Sequence, residues 1–183
     1  MDNKIIDSSA VNAKTNFVQI GDRKIAYRSI GKGSPIIMIN RFRGTLDTWD
    51  PAFLDALASR FNVITIDYSG TGLSTGTCAA DILSMVKDVK DVADALKFTK
   101  IIVTGWSLGG LVAQTVTTNY PDLVSHTILI GSGPPGKNTG IPEGTFWERA
   151  LKGNIDLEDG YVLFFEPKSD ASKKAAQLSF GRM

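Results

Sequence analysis

The chain holds one cysteine and one histidine in 183 residues, and both scarcities narrow its chemistry. A lone Cys78 excludes an intrachain disulfide, which suits a reducing compartment. Nothing around it marks an activated thiol, and it reads as a small residue near a helix start. Charge of one sign is missing too: 20 Lys and Arg against 19 Asp and Glu leave a net charge of +1. That gives no footprint for nucleic acid or for an acidic membrane surface. No apolar run approaches the ~18 residues needed to span a bilayer. Met1 to Asp7 contain no apolar segment, so no secretory signal is expected and a cytoplasmic location is. What remains, 43% hydrophobic and 21% charged residues, is the balance of a globular chain of one-domain length.

Residues 1–14 are polar and unpatterned, and a loose arm is expected there. Phe17 to Ile20 and Lys24 to Ile30 read as two strands joined at Gly21-Asp22. Ile36 to Ile39 and Val63 to Ile66 are uniformly apolar, as strands covered on both faces should be. Asp50-Pro51 opens a helix through Ser59, the Asp capping and the Pro in the first turn. From about Ala79 to Lys97, Ile82, Met85, Val86, Val89, Ala93 and Leu96 form an apolar stripe, with lysines and aspartates turned outward. Thr127 to Ile130 reads as a further buried strand. Strands alternating with helices predict an α/β fold: a three-layer, mostly parallel sheet with helices on both faces, spanning residues 15–136. Residues 137–183 differ. Helical stretches near Thr145–Leu151, Asp159–Phe165 and Ala171–Phe180 predict a helical cap segment rich in aromatic rings.

The most informative stretch is Ile101 to Gly110. A short β-branched run ends in Gly105-Trp106-Ser107-Leu108-Gly109, and a helical pattern to Tyr120 follows at once. A buried strand turning sharply into a helix is the setting in which Gly-x-Ser-x-Gly forms a nucleophile elbow. Ser107 is then exposed above the sheet, with the Leu108 N–H and the helix's positive end facing the reacting atom. The alternative is a plain strand-to-helix turn whose serine only caps the helix. Trp49 and Trp106 read as packing residues, and Trp106 also stands where it shapes a pocket wall.

Three ordered motifs resemble those of the α/β-hydrolase superfamily: the elbow, the turn Asp67-Tyr68-Ser69-Gly70-Thr71-Gly72-Leu73-Ser74, and the loop Asn40-Arg41-Phe42-Arg43-Gly44-Thr45. The third occupies the slot where the family has His-Gly-x-Pro-Gly. The resemblance implies a serine hydrolase, without metal or cofactor, acting on a small-molecule ester, thioester or amide. Ser107 is implied as nucleophile and the N–H groups of Leu108 and Phe42 as oxyanion donors. A serine at 107 argues against a dehalogenase or epoxide hydrolase, and leaves esterase, perhydrolase, C–C hydrolase and acyltransferase open. Asn40, Arg41 and Arg43 depart from the family pattern and are the substrate-proximal candidates. The two arginines either grip a substrate carboxylate or are solvated, or paired with Asp47 and Asp50.

Other motifs fit less well. Gly131 to Asn138 follows a strand and nearly matches a phosphate-binding loop, but Asn138 replaces the required hydroxyl and Gly140 and Pro142 spoil the helix. Gly70-x-Gly72 lacks the third glycine of a dinucleotide fingerprint. The order Ser107, Asp122, His126 matches a hydrolase triad. Yet His126 lies four residues before its strand's end, about 13 Å too low at ~3.3 Å per residue. Glu143 is the nearest remaining acid. The expectation is therefore the amino-terminal part of a longer hydrolase, lacking the triad acid and His and inactive alone. Its last strand would be left as an open edge for oligomerisation or a completing chain. A non-catalytic binding protein on the same scaffold is the alternative.

Overall fold

A computed structural model of the chain describes residues 9–78, 81–134, 136 and 144–182. They form two compact units dividing between Pro135 and Gly136. The first unit holds a six-stranded sheet in the order β1-β2-β4-β3-β5-β6. Its strands are β1 (Asn16–Ile20), β2 (Arg23–Ile30), β3 (Ser34–Ile39), β4 (Phe61–Ile66), β5 (Ile101–Trp106) and β6 (Val124–Ile130). β1 and β2 form an antiparallel hairpin, and β2 meets β4 antiparallel. β4, β3, β5 and β6 run parallel. Parallel neighbours need crossovers, which α1 (Pro51–Ala58), α2 (Ile82–Ala95) and α3 (Leu108–Asn119) supply.

Alternation along the strands sends side chains to both faces. Ile37, Ile39, Ile64 and Ile66 pack with Val86 and Val89 of α2 and Val112 and Val116 of α3. Their neighbours Ile36, Met38 and Val63 pack on the opposite face with Trp49 and Leu54, the latter from α1. Three layers result, and each fully buried Ile contributes about 1.5–3 kcal/mol. The expected cap forms, Asp50 accepting from Phe53 N–H at 3.1 Å, and α2 starts at an unexpected one, Asp81 accepting from Ser84 N–H at 2.8 Å. Among the described residues no helix is long and apolar enough to cross a membrane.

Two expectations need correction. The aspartates of α2 do not all face outward: Asp88 is buried, accepting from the Ser69 N–H and hydroxyl at 2.8 Å each and pairing with Arg23. Charge-assisted bonds on both oxygens offset its desolvation. Nor is the whole amino-terminal arm loose. Ala10–Asn12 form a 3-10 turn in which Ala10 is buried and its N–H donates to Asp55 at 2.7 Å. Residues 1–8 lie outside the described part.

The second unit contains α4 (Gly144–Ala150), α5 (Leu157–Phe164) and α6 (Asp170–Phe180). Asp156 and Asp159 form a capping box at the start of α5. Arg149 and Lys152 converge on the buried Asp159 at 2.9 and 2.6 Å, holding its carboxyl below the usual range, Lys152 most strongly. Gly160 lies against the Phe180 ring, which closes α5 onto α6.

β6 has the sequence of a covered strand but lies at the sheet's edge, with Ile128 44% and Leu129 43% exposed. Unpaired backbone groups beside exposed apolar side chains template further pairing. Light scattering on the 183-residue chain is expected to show species larger than a monomer, shifted toward monomer by Leu129→Lys. A monodisperse wild-type monomer would contradict this.

Candidate active site

Ser107 joins β5 to α3 at φ +53°, ψ −116°, where a side chain is strained. The strain is held from three sides. The Ser107 N–H donates to Ile130 O at 2.9 Å, and its carbonyl accepts from Gly110 N–H at 2.8 Å. On the third side, Gly105 and Gly109 bring backbones together closer than any Cβ allows. A methyl at 105 would meet the Gly109 carbonyl, and one at 109 the carbonyl oxygens of Ile39 and Asn40. The first turn of α3 therefore sits on the end of β3. Ser107 is exposed, and its hydroxyl makes no capping bond to α3, so it is not a plain helix cap.

The close approach at Gly109 also brings the loop after β3 beside the elbow. Among the described residues, neither the Phe42 nor the Leu108 N–H is a donor in the backbone hydrogen-bond network. Leu108 is the first residue of α3, so its N–H is one of the helix's unsatisfied donors. Asn40 is buried and anchors the loop by donating to Thr45 O at 3.1 Å and Ile66 O at 3.3 Å. Asp67, at the end of β4, clamps it further. Its carboxylate accepts from Leu46 N–H in this loop and Leu73 N–H in its own, both at 2.8 Å. Burial raises the Asp67 carboxyl from its ordinary value, against the pull of these two donors. Asp67 is legible in the sequence only as the head of a turn motif, and its grip on the neighbouring loop was not foreseen.

Arg41 is buried, which overturns the solvated reading for this residue. Its guanidinium donates to Phe42 O at 2.8 Å and lies 5.2 Å from the Trp106 ring centroid. Burial lowers it to about 10, so it stays charged at neutral pH. Arg43 lies over the Phe42 ring at 5.9 Å, with φ +57°. Asp47 pairs with Arg28 at 2.7 Å, and Asp50 caps α1. Trp106 packs against buried Trp49, ring centroids 5.7 Å apart.

The other candidates are not at this edge. His126 is level with Ile102, toward the far end of β5, and exposed. Asp122 lies in the turn before β6. Glu143 and, from the near-phosphate loop, Pro135, Lys137 and Asn138 lie outside the described residues.

A family model described as alpha/beta hydrolase fold matches residues 34–183. The chain belongs to this family. It is 35% identical over 108 residues to a pimeloyl-[acyl-carrier protein] methyl ester esterase of Aliivibrio salmonicida, covering 59% of this chain and 40% of that protein. It is 27% identical over 118 residues to a pyrrolizixenacetamide deacetylase of Xenorhabdus hominickii, covering 64% and 44%. An alpha/beta hydrolase fold protein from Chitinophaga pinensis superposes with a TM-score of 0.84 at 30% identity, covering 95% of this chain and 63% of that one. The matched region thus spans less than half the length of these curated relatives.

Because Gly adopts the elbow's backbone freely, Ser107→Gly is expected to be about 1–2 kcal/mol more stable than Ser107→Ala in chemical denaturation. Equal midpoints would mean that position 107 carries no strain. Gly109→Ala should lose about 2 kcal/mol or more, since rigid backbone must move. Wild-type stability there would contradict the close approach.

Proposed function

We propose that this chain carries the nucleophile and oxyanion donors of a serine hydrolase acting on an ester or similar acyl substrate. The strained, exposed Ser107, its hydroxyl unspent on helix capping, is the observation that supports this most. Its Oγ attacks the acyl carbon while its proton passes to a base. The carbonyl oxygen becomes an oxyanion, received by the N–H groups of Leu108 and Phe42, each usually worth ~3 kcal/mol or more. The bond to the leaving group then breaks, and water hydrolyses the acyl-enzyme.

The base and its orienting acid come from outside the described residues, because His126 lies at the wrong end of its strand. A continuation of the polypeptide, or a second chain at the β6 edge, would bring them. The relatives' names, a methyl ester esterase and a deacetylase, support acyl chemistry. A cytoplasmic setting is part of the proposal, supported by the single cysteine.

With the base supplied by either route, a fluorophosphonate probe is expected to label Ser107, with labelling abolished in Ser107→Ala. The 183-residue chain should label at least 100-fold more slowly, for want of a base. A folded protein that does not label even with the base supplied would favour a non-catalytic binding protein.

A further inference from the structure

The loop after β3 contains a tight turn over Arg41–Gly44, closed by the Gly44 N–H donating to Arg41 O at 2.9 Å. Phe42 and Arg43 are its central residues. Arg43 has φ +57° while Phe42 is not in the left-handed region, so the turn is of the type II class. That class wants glycine at its third position. An arginine there favours type I instead, reached by flipping the Phe42–Arg43 peptide. The flip swings the Phe42 carbonyl through about half a turn, reversing a dipole beside the Phe42 N–H. The local sequence therefore prefers the turn that the structure does not adopt.

One side chain opposes the flip. The Arg41 guanidinium donates to the Phe42 carbonyl at 2.8 Å, the very oxygen that would swing away. The same group lies over the ring of Trp106, which immediately precedes Ser107, and Trp106 is itself held by Trp49. Burying a guanidinium is costly, and a solvated loop arginine would avoid that cost. Its bond to the carbonyl is charge-assisted, hence stronger than a neutral one.

We propose that Arg41 is a positioning residue for the reaction: its buried guanidinium selects the type II form of the Arg41–Gly44 turn. It thereby fixes the Phe42 oxyanion donor relative to Ser107 through Trp106. This rests on the serine-hydrolase reading above.

The test uses the protein with its base supplied and two p-nitrophenyl esters, one neutral and one bearing a carboxylate. Arg41→Ala is expected to lower kcat tenfold or more for both, with KM within about twofold. Adding Arg43→Gly, which makes the type II turn favourable without help, should restore most of the lost kcat. Full kcat in Arg41→Ala, or no recovery with Arg43→Gly, would overturn the proposal. So would a loss confined to KM for the carboxylate ester, which would make Arg41 an anion receptor. Should the wild type show no turnover that Ser107→Ala removes, the hydrolase reading fails instead, and the turn is then read directly by NMR. Wild type should give a strong Phe42 Hα to Arg43 amide cross-peak, and Arg41→Ala a strong Phe42-to-Arg43 amide–amide one. An unchanged pattern would overturn the selection of the turn.

Discussion

The contact on which the rest depends is that of the first turn of α3 with the carbonyl oxygens ending β3. It exists because position 109 has no side chain. Through it the helix start, the elbow and the loop after β3 occupy one small region at the carboxyl edge of the sheet. Ser107 is strained because the chain must reverse from β5 into a helix that begins this close. The strain persists because the surroundings over-determine it: the parallel register of β3, β5 and β6, and the Ser107 N–H on Ile130.

Around that contact the polar groups form a graded support. Asp67 ties the ends of two strands' loops with a single carboxylate, and Asn40 ties the same loop to β4. Further out, Asp88 and Arg23 lock α2 to the hairpin strand β2. Asp67, Asn40 and Asp88 are buried, and each places a carboxylate or amide where backbone N–H or C=O groups would otherwise be unpaired. Rigid support of this kind is what a preorganised oxyanion site requires, since donors that must reorient lose most of their value.

Much of this was legible in the residues alone. Strand identity was carried by uniform apolar runs such as Ile36–Ile39, and the start of α1 by Asp50-Pro51; the cap at Asp81 was not read from the sequence. The sharp turn at Ser107 was legible because a β-branched run ends in Gly-x-Ser-x-Gly just ahead of a helical pattern. What stayed hidden was long-range. Asp88 carries the pattern of an exposed helix face, and only the fold brings Arg23, distant in sequence, against it. Arg41 was open to two readings, because burial of a loop side chain depends on Trp106, which arrives from a different strand. The apolar pattern of β6 predicts cover that the described residues do not supply, so sequence pattern and exposure disagree there for want of a neighbour.

On the proposed reading, the elbow holds Ser107 as a nucleophile between the donors Leu108 and Phe42. A crystal structure of the protein treated with a phosphonate ester tests it most directly. Density is expected to continue from Ser107 Oγ to phosphorus, with the charged phosphoryl oxygen within about 3 Å of both N–H groups. An adduct on another side chain, or a phosphoryl oxygen facing away from both donors, would contradict it.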